Sequence, residues 1–93
     1  MAGSDDNGKL SAGELGQAAL VTVEELTGYE AEAVTAIVWD GEFWRITVDA
    51  LELERIPNTT DILGSYVVQL DESGTLHGYK RSRRFVRGQP GEE

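Results

Sequence analysis

An α+β fold, one N-terminal helix packed on a four-stranded antiparallel β-sheet in meander order, is what this 93-residue chain predicts. Three observations carry that reading. Residues 11–28 combine a start signal, a helical apolar period and a stop signal. The remainder carries runs of two-residue alternation separated by turn-forming clusters. The length suits one small domain, since a chain of this size buries only about 60–65% of its unfolded surface.

Residues 1–10, MAGSDDNGKL, have no periodicity and read as a disordered tail. SAGE at 11–14 is a capping box, with Ser11 and Glu14 satisfying each other's backbone amides. Leu15, Ala18, Ala19, Thr22, Val23 and Leu26 then recur along one helical face, and Gly28 stands where a left-handed residue ends a helix. In the next run Val34, Ala36 and Val38 alternate with Ala33, Thr35 and Ile37, a strand with little polarity on either side. Asp40-Gly41 reads as a two-residue hairpin turn.

In residues 43–56, Trp44, Ile46, Val48 and Ala50 share one face, and Arg45, Thr47 and Asp49 the other. Leu51 and Leu53 then reverse the parity, which calls for an extra residue or a change of environment, so a β-bulge is expected near residues 50–51. Pro57, Asn58 and Asp61 make PNTTD a chain reversal within one sheet. Ile62, Gly64, Tyr66, Val68 and Leu70 alternate again, DESG at 71–74 forms a hairpin loop with Gly74 left-handed, and a last strand covers about 75–86. Residues 11–87 thus form one domain, and 88–93 a flexible tail. Leu15, Ala19, Val23 and Leu26 are expected across one sheet face, beside Ile46, Val48, Tyr66 and Val68, with the other face open to water or a partner.

Seventeen acidic residues against eight basic ones give a net charge of −9, the wrong sign for general affinity to nucleic acid or an anionic membrane. Yet five of the eight cations, Lys80, Arg81, Arg83, Arg84 and Arg87, fall in KRSRRFVR. Strict alternation would put Tyr79, Arg81, Arg83, Phe85 and Arg87 on one face and Lys80, Ser82, Arg84 and Val86 on the other. Cysteine is absent, which leaves neither a disulfide framework nor a thiolate metal site. No run approaches the ~20 apolar residues that span a bilayer, and MAGSDDNGK lacks the order of a secretory signal. A soluble cytoplasmic protein is the default expectation.

No residue set supports catalysis, a cofactor or a metal. His77 follows a turn with no sequence-local group to orient it and reads as a surface histidine. The serines lack a nucleophile elbow, and Asp40-Gly41-Glu42 and Asp71-Glu72-Ser73-Gly74 lack the rest of a calcium loop. Glu52 and Glu54 share a strand face and read as partners for cross-strand cations rather than as an acid–base pair. The bland reading of the basic strand is that its charges discourage edge aggregation and pair with Asp49, Glu52 or Glu54. The sharper reading is a docking strand. Trp39, Phe43 and Trp44 flank the first hairpin either as core and cover or as an anchor for a partner.

The blocks VDALELERIPNTTDILGSYVVQLD and GYKRSRRFVRG carry an acidic strand, IPNTTD, a tyrosine-bearing strand and an arginine-rich ending in that order. In this the chain resembles the gas vesicle synthesis protein O family over about residues 15–89. The likeness rests on Glu52, Glu54, Arg55, Pro57, Thr60, Asp61, Tyr66, Tyr79, Arg81, Arg84 and Arg87. It implies a non-enzymatic accessory protein for gas vesicle assembly, cytoplasmic or vesicle-associated, acting on other gas vesicle proteins. It brings no catalytic residues with it. The partner-binding candidates are Lys80, Arg81, Arg83, Arg84 and Arg87 with Tyr79, Tyr66, Glu52 and Glu54. Two readings stand against this one: a nucleic-acid-binding regulator using the same arginines, and a minor vesicle component that self-associates through a strand edge.

Overall fold

A computed structural model of the chain describes residues 9–88; most of each expected tail lies outside the described residues. The capping box forms, with Ser11 Oγ accepting from the Glu14 amide at 3.2 Å and Glu14 Oε1 accepting from the Ser11 amide at 2.9 Å. Helix α1 then runs Ala12–Thr27. Gly28 ends it with φ +77°, its amide donating to the Glu24 carbonyl. Ahead of the cap, the Leu10 amide donates to the Glu72 carbonyl and Leu10 rests against the core.

Strands β1 (Glu30–Trp39), β2 (Trp44–Leu53), β3 (Ile62–Leu70) and β4 (Leu76–Val86) follow, antiparallel and in the order β1-β2-β3-β4. The α+β meander is therefore present as the patterning predicts. The first hairpin is wider than Asp40-Gly41 alone suggests. Trp39 pairs with Trp44, leaving a four-residue loop in which Asp40 Oδ1 accepts from the amides of Glu42 and Phe43. Between β2 and β3, Asn58–Thr60 form one 3₁₀ turn, so PNTTD does reverse the chain.

Strand β1 departs from simple alternation. Its register with β2 slips between Ala31 and Ala33 and again between Val34 and Ala36. Each slip inserts one residue and reverses the side-chain parity. Ala31, Val34 and Ile37, three apart, are thereby the positions partly buried against the core. Val38, expected to share a face with Val34, is 54% exposed.

The core is a single layer. Leu15, Ala19 and Val23 of α1 meet Ile46, Val48 and Ala50 of β2 and Tyr66, Val68 and Leu70 of β3. Burying side chains of the Leu, Ile and Val class contributes roughly 1.5–3 kcal/mol each. Leu26, expected in this row, is 42% exposed and lies outside it. No helix among the described residues is long and apolar enough to cross a membrane. Because α1 is held at its start by the reciprocal cap, Ser11→Ala is expected to lower the unfolding free energy by about 1 kcal/mol. Urea denaturation would measure this as an earlier midpoint at unchanged slope.

Candidate functional site

The acidic–apolar alternation of β2 ends in a carboxylate that is drawn inward. Ala50 pairs with Gly64, Leu51 with Leu63 and Leu53 with Ile62, so the extra residue of the irregularity is Glu52, one position beyond the expected 50–51. Leu51 accordingly lies across from the buried Leu63, while Glu52 faces the same way as the core residue Ala50. Its side chain is only 2% exposed.

Three donors surround that carboxylate. Tyr66 Oη donates to Oε2 at 2.5 Å, Arg81 Nη1 to Oε1 at 3.0 Å, and Arg84 Nε stands 3.2 Å from Oε1. Gly64 makes the room: a Cβ at that position would collide with the Glu52 carboxylate and press on the Tyr66 ring. Burial first, and then the hydrogen bond to Glu52, push the Tyr66 phenol up to about 12.

Arg81 and Arg84 reach one carboxylate because β4 slips against β3 between Tyr66 and Ser65, with Ser82 as the inserted residue. Strict alternation would separate them. Instead Arg81 pairs with Tyr66 and Arg84 with Gly64, placing both on the helix-bearing face. Ser82 Oγ donates to the Ser65 carbonyl at 3.2 Å. Lys80 before the slip pairs with Val67, and Arg83 and Phe85 after it pair with Ser65 and Leu63, all on the opposite face. The cations of β4 are thus sorted differently from the sequence expectation.

Arg87 belongs to a second cluster. Its Nε lies 3.1 Å from Asp61 Oδ2, its Nη2 2.6 Å from Glu32 Oε2, and its amide donates to the Asp61 carbonyl. These bonds hold the guanidinium charged and raise its pKa, the Glu32 hydrogen bond most of all. The buried Asp61 also accepts from the Arg55 amide at 2.7 Å, fixing the loop before the 3₁₀ turn. Glu32 sits in β1 and Arg87 just after β4, so this pair joins the two edge strands of the sheet.

The ion pairs among the described residues engage Arg81, Arg84 and Arg87 and leave Lys80 and Arg83 exposed with no carboxylate partner. Arg83 lies over the Phe85 ring, 4.7 Å from its centroid. Tyr79 is 44% exposed and Glu54 is exposed, whereas Tyr66 and Glu52 are interior. Arg81 and Arg84 keep 46% and 57% of their side chains in solvent while holding Glu52. Glu32 and Gly64 escaped the sequence reading, because their partners lie far along the chain.

At the opposite end of the sheet, Asp71 Oδ2 lies 2.9 Å from His77 Nε2, and the imidazole stacks on Phe43 with centroids 4.6 Å apart. His77 therefore does have an orienting partner, one supplied across the hairpin. The His77 bond, then that of the Ser73 hydroxyl, hold the Asp71 carboxyl well below the usual range. The Phe43 amide, followed by Arg45 and the Glu42 amide, lowers Asp40 to about 2. Both arrangements brace hairpins at the surface.

Tyr66 provides a readout of the Glu52 cluster. Its phenol is raised from 10.0 in the unfolded chain to about 12, so its contribution is complete below pH 10 and is lost as pH rises through 12. Tyrosinate absorbance is expected to show this late step, and Glu52→Gln to move it to lower pH while costing about 1–3 kcal/mol of stability. Gly64→Ala is expected to disturb the same step by displacing the carboxylate; an unchanged titration would separate Glu52 from Tyr66.

The family model described as gas vesicle synthesis protein GvpO matches residues 1–91. Gas vesicle protein O of a Streptomyces strain is 46% identical over 70 residues, covering 75% of this chain and 55% of that protein. The Haloferax mediterranei gas vesicle protein O is 38% identical over 71 residues, 75% of this chain and 51% of its own length. Gas vesicle protein O1 of Halobacterium salinarum is 33% identical over 70 residues, 75% of this chain and 59% of its own. The chain spans about half the length of the curated relatives it matches. No solved structure matches it. On the family match and these identities, the chain belongs to the gas vesicle synthesis protein GvpO family.

Proposed function

We propose that this chain takes part in gas vesicle formation as a non-enzymatic accessory protein that holds another gas vesicle protein on β4 and the neighbouring sheet surface. The observation that carries the reading is the division of labour on β4. Arg81, Arg84 and Arg87 are tied to internal carboxylates, while Lys80 and Arg83 project from the uncovered face. Cations that stabilised only their own fold would have carboxylate partners. These two do not have one among the described residues.

The edges of the sheet support the same assignment. An edge strand offers unpaired amides and carbonyls to an extended segment of another chain. Both edge strands carry two register slips, but those of β1 fall three residues apart, at Glu32 and Thr35, whereas those of β4, at His77 and Ser82, leave the regular runs 78–81 and 83–86 along an eleven-residue edge. A net charge of −9 keeps the escort dispersed. Its local cations steer an acidic partner and set its orientation more than its final affinity.

Lys80→Glu with Arg83→Glu is expected to leave the circular dichroism spectrum unchanged and to lower the melting temperature by only a few degrees, because neither side chain has an internal ion pair and the contact of Arg83 with Phe85 contributes about 0.5–1 kcal/mol. Co-purification from cells expressing a complete gas vesicle gene cluster is expected to lose the captured vesicle protein in that variant. Capture at wild-type yield would overturn the proposal. So would binding of the wild-type chain to a mixed oligonucleotide pool, salt-sensitive and abolished by the same pair of changes, in place of any vesicle protein.

A further inference from the structure

At the end of the sheet that carries the β2–β3 connection, the strands outrun the elements that cover them. Glu30, the first residue of β1, pairs with Leu51. The next row, Leu53 with Ile62 and Ile62 with Val86, has no β1 member. The helix ends at Thr27, before β1 begins, and the core it covers stops at Ala50 and Tyr66 on this side. An apolar row of Leu53, Ile62 and Val86 is therefore left without a lid, and Leu53 is 44% exposed.

These residues line a groove of about 370 Å³ whose remaining walls are Phe85, Arg55 and Arg84. Ile56, which follows the wall residue Arg55 in the chain but does not itself line the groove, is 100% exposed. An isolated surface aliphatic is ordinary, but a fully solvated isoleucine one residue from the wall of an open apolar groove is within reach of a ligand seated there. The charge around it has one sign at the walls. Arg84 gives only its Nε edge to Glu52, and the Arg55 side chain has no ion-pair partner among the described residues. The exposed Glu54, like Ile56 a chain neighbour of Arg55, is not among the lining residues.

We infer that this groove docks an acidic amphipathic segment of another protein, its apolar side chains on Leu53, Ile56 and Ile62 and its carboxylates against Arg55 and Arg84. A basic or purely apolar segment would leave the guanidinium groups unmatched or desolvated. The groove is separate from Lys80 and Arg83, so this inference stands whether or not those residues bind a partner.

The test uses the whole chain and a synthetic helical peptide with leucine on one face and glutamate on the other, followed by fluorescence anisotropy at low and moderate salt. A second peptide carries lysine in place of glutamate. The acidic peptide is expected to bind and the basic one not. Ile56→Asp and Arg55→Glu are each expected to weaken binding at least about tenfold, the loss typical of an interface anchor. Both variants should stay folded, because Ile56 is fully exposed and Arg55 serves Asp61 through its backbone amide. Lys80→Glu with Arg83→Glu should retain the peptide. Equal binding of both peptides, no binding, or indifference to the variants would overturn the assignment. Concentration-dependent self-association in light scattering, abolished by the same two variants, would give the groove to a second copy and overturn it equally.

Discussion

One buried carboxylate organises the business end of this molecule. Glu52 has left the solvent almost completely, and an unpaired charge in that position would cost several kcal/mol. Three otherwise unremarked features follow from keeping it satisfied. Position 64 must lack a side chain, Tyr66 must keep its proton, and β4 must slip at Ser82 so that Arg81 and Arg84 converge. The slip in turn decides which cations face away. Removing the constraint would leave no reason for Lys80 and Arg83 to stand apart from the other basic residues.

A comparable logic holds the far edges together. The sheet has no second layer to stop it fraying beyond the helix, yet Arg87 joins Glu32 of the first strand to Asp61 ahead of the third. Exposed ion pairs contribute little, but Asp61 is only 4% exposed at its side chain and also accepts from the Arg55 amide. The acid-rich composition thus has an internal use. Several of its carboxylates orient the few cations present, and those cations are concentrated where the sheet is least covered.

Much of this architecture is legible in the chain itself, and the parts that are not have a common cause. Caps, helical period and turn formers are local signals, so α1, Gly74 and the PNTTD reversal stand where the residues put them. Parity along a strand is legible only while the register is regular. The three-residue spacing of Ala31, Val34 and Ile37, and the pairing of Arg81 with Arg84, arise from slips that the affected strand does not announce. Glu52 is the instructive case. The parity change at Leu51 did mark an irregularity, but nothing local distinguishes a solvated glutamate from one enclosed by residues 14 to 32 positions later. His77 shows the same limit: it is a surface histidine, as its place after a turn suggests, but Asp71 approaches it only once the hairpin closes.

Anchoring and availability are not in conflict on this surface. A guanidinium spreads its donors around a planar fork, so an arginine can bind a carboxylate on one side and present the remaining N–H groups on another. Arg81 and Arg84 do this, remaining 46% and 57% exposed while sharing Glu52. A free surface arginine loses rotamer entropy when a partner captures it, whereas one already held by a buried acid has lost most of that freedom on folding. The two guanidinium groups are therefore pre-oriented on the helix-bearing face, while Lys80 and Arg83, unheld by carboxylates, stand on the opposite face of the same strand. A chain with only eight basic residues thus carries positive charge on both faces of one edge strand of an acidic body, held on one face and free of carboxylates on the other.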